Sequence, residues 1–111
     1  MTSILTTVKK MLGLDSDYEA FDVDIIIGIN SALMTLTQVG VGPKRGFIVQ
    51  DATDTWEDFL GDREDLEAIK TYVYLKTKLI FDPPTNSFTI DAMERQAEEY
   101  LWRININAER R

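Results

Sequence analysis

The feature that most constrains this chain is the segment Asp62–Pro84, whose pattern predicts one long helix that ends at about Asp82. Its apolar side chains cover about half of the helix circumference at about 100° per residue. They are Leu66, Ile69, Tyr72, Val73, Leu75, Leu79 and Ile80. Asp62 can cap the first turn, with Asp65 reaching back, and the prolines after Asp82 stop the helix. A helix this widely apolar must be covered on several sides, so we expect it at the centre of a small all-α domain.

The composition allows one domain and excludes most familiar catalytic machinery. The chain has 111 residues and contains neither cysteine nor histidine. Disulfides, thiolate chemistry, the commonest general base and the commonest zinc ligand are therefore missing. No apolar run approaches the roughly 18 residues of a membrane span, and the N-terminus lacks the order of a secretory signal. We expect no catalytic residue, cofactor or metal, and a soluble protein that is cytoplasmic at synthesis.

Negative charge is concentrated between Asp51 and Glu67. This stretch holds eight acids and one base, Arg63, and so carries the whole net charge of −7. The acids are Asp51, Asp54, Glu57, Asp58, Asp62, Glu64, Asp65 and Glu67. Such a face repels phosphate and argues against ordinary nucleic-acid binding, although it suits the lining of a passage that DNA crosses without sticking.

The same carboxylates admit a second interpretation, a two-metal nuclease. Asp51, Asp54, Glu57 and Asp58 could hold Mg²⁺ or Mn²⁺ for phosphoryl transfer. A lysine or histidine close to them in sequence is missing, since the nearest lysine is Lys44, across a loop. We therefore favour helix caps and solvated helix surface for these acids.

Four further helices are predicted around the central one. They cover residues 3–12, residues 18–38 with Ser16 and Glu19 as a capping box, residues 54–60 with Asp54 and Glu57 spaced for a cap, and a last helix. Thr89 caps the last helix, Phe88 is placed to staple onto Met93, and its core stripe runs to Ile104. The predicted fold is a small bundle of four main helices plus one short helix. A glycine-rich loop or short β-hairpin, which includes residues 39–46, joins helix 2 to the short helix.

Several side chains lie off the predicted core. In the second helix, Val23, Ile27 and Met34 form a ridge displaced from the main apolar arc, and it is either buried on a second side within the domain or part of a protomer interface. In the loop, Lys44 and Arg45 belong to a plain connection or to a basic flap that touches a partner. A phosphate-binding loop is disfavoured because no strand precedes it and no Ser or Thr follows Lys44.

Two further positions are candidates for contact with a partner. Lys76 points into the apolar arc of the central helix, where it either extends its ammonium to water or pairs with acids of a neighbouring copy. Trp102 lies off the core stripe, and the tail after it contains Ile106, Arg110 and Arg111. This composition fits a docking element, because Trp and Arg dominate binding hot spots, and it also fits a frayed terminus. We divide the chain into a helical domain, residues 1–104, and a docking tail, residues 105–111.

The order of these elements resembles the small head-tail connector proteins of tailed bacteriophages, also called adaptor or head-completion proteins and sometimes labelled DNA-packaging proteins. The likeness spans most of the chain. It rests on Leu12-Gly13-Leu14, the acidic start Asp15-Ser16-Asp17, the run Ile25-Ile26-Ile27-Gly28-Ile29-Asn30, the glycine-rich loop and the short helix around Trp56. The most specific part is Tyr72-Val73-Tyr74-Leu75-Lys76 followed by Phe81-Asp82-Pro83-Pro84. None of these motifs is catalytic.

The resemblance implies a non-enzymatic virion protein of the head-tail neck, assembled in the host cytoplasm. It implies a ring, commonly of twelve copies, beneath the portal protein, with an acidic lumen through which DNA passes without specific binding. A stopper or tail-proximal neck protein would follow, and C-terminal segments would reach into the portal or a neighbouring subunit. The alternatives are the carboxylate-metal nuclease and a small acidic adaptor or inhibitor that mimics nucleic acid.

Overall fold

The computed structural model describes residues 2–61, Arg63 and residues 65–109, the last two of these by their backbone alone. This part of the chain contains five helices: α1 (Ile4–Met11), α2 (Asp22–Gln38), α3 (Trp56–Leu60), α4 (Leu66–Phe81) and α5 (Ser87–Glu109). The prediction of an all-α fold is confirmed. Residues 39–55 form turns and bends without a strand, so the β-hairpin is not confirmed; Ser3 and Thr55 make an isolated antiparallel bridge.

Helix α4 lies at the centre of the bundle, as predicted, and packs against both α2 and α5. Its buried residues are Ile69, Tyr72, Val73, Leu75 and Thr77. The helix ends at Phe81 before the two prolines, but it begins at Leu66, later than expected. The Asp65 side chain makes no cap hydrogen bond because it pairs with Arg63 instead. The predicted Asp62 cap lies outside the described residues.

Helix α2 begins at Asp22 rather than at Tyr18, and the predicted capping box of Ser16 and Glu19 is wrong. The ammonium of Lys9 donates to the Ser16 carbonyl at 3.0 Å and pairs with Asp22 at 2.8 Å. Lys9 is almost fully buried. These two contacts hold residues 16–22 against α1. Helix α2 therefore begins only at Asp22, the residue that pairs with Lys9.

The caps of α3 and α5 also differ from the prediction. Thr55 and Asp58 form the capping box of α3, because Asp54 and Glu57 accept backbone amides elsewhere. In α5 the Asn86 carboxamide, rather than Thr89, accepts the first amides, from Phe88 at 2.8 Å and Thr89 at 3.4 Å. Phe88 is 83% exposed, so the predicted staple onto Met93 is wrong.

Two close contacts in the domain depend on glycine. Gly28 of α2 faces Thr77 of α4, and a Cβ at Gly28 would lie 3.2 Å from the Thr77 Cα. In the loop after α2, a Cβ at Gly42 would lie 2.4 Å from the Phe59 ring, and the backbone there has φ +81°. Glycine is therefore required at Gly42 both for space and for its backbone angle.

Within the described part, no helix is long and apolar enough to cross a membrane.

Candidate interaction surfaces

The ridge of α2 is exposed to solvent. The apolar arc of the helix, which includes Ile25, Ile29 and Leu33, is fully buried, whereas Val23 is 73%, Ile27 58% and Met34 64% exposed. The alternative in which the ridge is buried within the domain is therefore wrong. A row of exposed aliphatic side chains on one helix face is the kind of surface that a partner covers.

A groove of about 600 Å³ lies at the C-terminal end of this ridge, beneath the loop that follows α2. Its walls combine apolar and basic side chains: Asn30, Met34, Thr37, Gln38, Lys44, Arg45, Gly46, Phe47 and Ile48. Lys44 and Arg45 are exposed, and within the described part neither has a carboxylate oxygen within 4 Å. The two bases predicted on a flap thus stand beside Met34, one of the ridge residues.

Asn30 holds this loop in place. Its side-chain amide donates to the Val49 carbonyl at 3.1 Å, and its carbonyl oxygen accepts the Val49 amide at 2.8 Å. These two hydrogen bonds resemble the pair that two residues exchange across an antiparallel sheet. They attach the loop, which forms one wall of the groove, to α2. The Phe47 ring packs against the Phe59 ring at a tilt, with 5.4 Å between the ring centroids, and this contact anchors the other side of the loop.

A second, smaller depression lies at the N-terminal end of the ridge. It is lined by Phe21, Asp24, Ile27, Ile80 and Phe81. The Tyr18, Phe21 and Phe81 rings meet edge to face at centroid distances of 5.7 and 5.4 Å. Phe21 precedes the first residue of α2 and is 41% exposed.

The acidic stretch is organised mainly by local hydrogen bonds. The side chain and amide of Thr53 donate to Asp51 and lower the pKa of its carboxyl, and the Thr2 amide does the same for Glu57. Asp54 accepts the Gln50 amide at 2.8 Å, and Asp58 completes the α3 cap. Among the described residues, no three acids are grouped so that they could hold a metal ion.

Arg63, the one base of the stretch, connects it to α5. Its guanidinium pairs with Asp65 and donates to the Ile104 carbonyl at 3.2 Å, while the Asn107 side chain reaches Asp65 at 3.4 Å. Burial raises the pKa of the Asp65 carboxyl, but the hydrogen bonds and charge of Arg63 outweigh it, and the pKa lies below its ordinary value of 3.8. Asp65 thus belongs to a structural ion pair. Asp62 and Glu64 lie outside the described residues.

Helix α5 packs on one side only. Its stripe of Ile90, Met93, Ala97, Tyr100, Leu101 and Ile104 faces α4 as predicted, and of these Ala97 and Ile104 are fully buried. Trp102 is 64% exposed on the opposite side, where Phe88 also lies. The helix continues to Glu109, and Ile106 is half-buried. Arg110 and Arg111 lie outside the described residues.

Lys76 lines a groove of about 480 Å³ between α4 and α5. Tyr72, Leu79, Ile90 and Leu101 supply its apolar walls, and Glu94 and Glu98 stand at its α5 side. Lys76 is half-buried and, within the part of the chain that the structure describes, has no carboxylate oxygen within 4 Å. The aliphatic part of the Lys76 side chain lies along apolar surface, and its ammonium forms no ion pair within the described part of the chain.

The structure therefore groups the predicted positions into separate surfaces. Val23, Ile27, Met34, Lys44 and Arg45 come together along α2, whereas Trp102 lies on α5, beyond α4. Ile48 and Phe88 were not predicted as exposed surface residues. Their positions could have indicated it, because Ile48 is an isolated apolar residue in a loop and Phe88 precedes the apolar stripe of a helix. The buried Lys9 and the loop-holding Asn30 carry no such signal, because their partners come from tertiary packing.

Comparison with known proteins gives one match. A family model described as "Phage connector protein" matches residues 4–111. No curated protein and no solved structure matches the chain. The match covers all five helices.

Proposed function

The chain belongs to the phage connector protein family, and on that premise we propose that it assembles as a ring beneath the portal and extends the channel for DNA. The family match across residues 4–111 is the observation that carries this proposal. Connectors have a structural role at the head-tail junction of the virion. We propose twelve copies as the ring number and a stopper or tail-proximal neck protein on the far side of the ring.

The distribution of charge supports the channel. Asp51, Glu57 and Asp58 are exposed, and Asp54 is half-buried beside them, whereas the exposed Glu67 pairs with Lys70 at 3.3 Å. Exposed acids without nearby bases repel the phosphates of passing DNA and prevent adhesion. Asp51, Asp54, Glu57, Asp58, Asp62, Glu64 and Asp65 are the lumen candidates. Asp65 is the weakest of these, since Arg63 neutralises it.

The arrangement of exposed apolar residues supports assembly. A ring of identical subunits needs two different complementary patches on each copy. The ridge of Val23, Ile27 and Met34 with Lys44 and Arg45 is one, and the Trp102 side of α5 is the other. Lys76 is proposed to meet acids of a neighbouring copy.

We further propose that residues 105–111 dock into the portal or a neighbouring subunit, and that residues 1–104 form the domain proper. Exposed Trp102 precedes this segment, and its sequence ends in two arginines, the residue types that dominate hot spots. Continuation of α5 to Glu109 carries the helix past Ile104, the last residue of the stripe that faces α4.

Truncation of the C-terminal segment tests both the docking tail and the connector role. The chain lacking Asn105–Arg111, the full chain and a Lys10→Ala control on the exposed face of α1 are co-sedimented with portal-bearing capsids of the same phage. The full chain and the control should be captured, and the truncated chain should not, because losing several hot-spot contacts costs about 2 kcal/mol or more at each.

Each other outcome is informative. Equal capture of the truncated and full chains would contradict the docking tail and leave the connector role intact. Failure of the full chain to bind would contradict the connector proposal. Metal-dependent DNA cleavage by the full chain, lost in an Asp54→Asn and Glu57→Gln double variant that remains folded, would establish the nuclease instead.

A further inference from the structure

The depression at the N-terminal end of α2 combines aromatic and aliphatic walls with a free carboxylate. It has a volume of about 400 Å³ and is lined by Phe21, Asp24, Ile27, Ile80 and Phe81. Neither the proposed ring contact nor the proposed docking tail uses Asp24. We propose that this depression is a binding site for an arginine side chain that a different protein presents.

The packing of α2 against α4 builds the depression. Gly28 faces Thr77 where the two helices meet. Asp24 lies one turn before Gly28, and Phe81 lies one turn after Thr77. Both line the depression, so the two helices run antiparallel there and bring the start of α2 beside the end of α4. The site therefore depends on the central helix pair of the domain rather than on a loop.

Three aromatic rings meet beside the depression. Phe21 packs edge to face with Tyr18 and with Phe81, at interplanar angles of 66° and 62°. This arrangement leaves ring surface open, since Tyr18 is 48% and Phe21 41% exposed. The face of an aromatic ring attracts a cation, and a guanidinium stacks on it well because it is planar and more weakly hydrated than an ammonium. The rings therefore favour arginine over lysine.

Asp24 supplies the negative charge of the site. Its side chain is exposed, and within the described part no lysine or arginine nitrogen lies within 4 Å of its carboxylate. Asp22, in the same turn, is by contrast paired with Lys9 at 2.8 Å. A carboxylate accepts two parallel hydrogen bonds from a guanidinium, which orients the arginine as well as attracting it.

Two lysines in the last two turns of α4 leave the site acidic. Lys78 pairs with Asp82 at 3.0 Å, and Lys76 lines the groove that α4 forms with α5. The C-terminal end of α4 lies at the depression and carries negative partial charge, which offsets the positive end of α2. A cation that enters the depression therefore meets a net attractive field.

The charge around the site favours a different protein over a second copy. Residues 15–24 hold five acids and no base: Asp15, Asp17, Glu19, Asp22 and Asp24. The whole chain carries a net charge of −7, so a second copy brings like charge, whereas a protein with a basic surface is attracted. Resting on the proposed function, that protein is the portal, which the proposed ring contacts directly.

Two probes that differ in one charge test the site. N-acetylarginine amide and its neutral analogue N-acetylcitrulline amide are titrated into the isotopically labelled chain, and NMR chemical shifts are followed. The arginine probe should bind and move the signals of Phe21, Asp24 and Ile27, and the citrulline probe should bind much more weakly. Equal binding of the two probes would overturn the proposal, because only an apolar contact would then remain.

Two variants separate the carboxylate from the ring. Asp24→Asn should weaken binding of the arginine probe about tenfold, because a charge-assisted hydrogen bond is lost. Phe21→Leu keeps an apolar side chain but removes the ring, and it should weaken binding about threefold. Asp91→Asn makes the same change of charge on α5 and is the control, which should bind the probe as the unmodified chain does. Circular dichroism establishes that each variant is folded. Unchanged affinity of Asp24→Asn would contradict the site.

Capture by portal-bearing capsids tests the source of the arginine. Asp24→Asn should be captured about tenfold more weakly than the unmodified chain and Asp91→Asn, while self-association in sedimentation velocity stays the same. Equal capture of all three chains, or a loss of self-association in Asp24→Asn alone, would reject the portal as the source. Absence of capture of the unmodified chain would reject the connector role, and the probe titration, which needs only the isolated chain, would still decide the site.

Discussion

Helices α4 and α5 are both long and both amphipathic, yet they are used differently. Helix α4 has 16 residues, five of which are buried, whereas α5 has 23 residues and, among its side chains that the structure describes, only Ala97 and Ile104 are buried. The difference arises because α4 is covered by α2 on one side and by α5 on the other, while α5 has a neighbour on one side only. A central helix determines the stability of the domain, and a peripheral helix offers surface for assembly.

The comparison predicts that the same new side chain has very different effects in the two helices. Val73→Asp places a carboxylate at a position of α4 with no exposed surface. We expect it to cost about 4 kcal/mol or more, because a buried unpaired charge is among the most destabilising changes known, and the domain should unfold at room temperature.

Trp102→Asp on the exposed side of α5 is the matched variant. It should cost about 1 kcal/mol or less, because the carboxylate stays in water. Urea unfolding followed by circular dichroism measures both changes. Similar losses for Val73→Asp and Trp102→Asp would mean that α5 is as integral to the core as α4.

The second prediction concerns the contact that makes α4 central. Gly28→Val places a branched side chain where even a Cβ would lie 3.1 Å from the Thr77 Cγ2 and 3.2 Å from the Thr77 Cα. The backbone atom cannot move aside without separating α2 from α4, so we expect a loss of about 2 kcal/mol from overpacking. Ser31→Val, on the exposed side of α2, is the control and should change stability by about 0.5 kcal/mol or less. Equal melting temperatures for the two variants would contradict the close crossing of α2 and α4.

The smallest predicted effect is on the link between the start of α4 and the end of α5. The pKa of Asp65 is lower in the folded protein than its ordinary value of 3.8. Its contribution to stability is therefore present above that ordinary value and is lost as the pH falls through the folded pKa. Asp65→Asn should reduce stability at neutral pH and flatten the fall in stability below about pH 4.

Urea unfolding from pH 3 to pH 7 measures this dependence. The remaining slope belongs partly to Asp51 and Glu57, whose pKa values are also lowered. An Asp65→Asn variant with the acid dependence of the unmodified chain would show that the ion pair of Asp65 with Arg63 contributes nothing to the pH dependence of stability.

Much of the fold was predictable because it depends on local periodicity. The broad apolar arc of α4, the proline stop after Phe81 and the single stripe of α5 each follow from spacing along one helix. The off-core position of Val23, Ile27, Met34 and Trp102 followed from the same geometry. These features need no knowledge of neighbouring elements.

Helix starts and the grouping of the surfaces were decided by tertiary structure. The start of α2 depends on Lys9 and the cap of α3 on the contact of Glu57 with the Thr2 amide, and both partners come from another part of the chain. At the start of α4, Arg63 pairs locally with Asp65 but also donates to the Ile104 carbonyl of α5. The sequence alone determined which side chains a helix turns away from its core stripe. Only packing decided that Lys44 and Ile48 lie beside Met34, because loop position is set by the Asn30 and Val49 hydrogen bonds rather than by any local pattern.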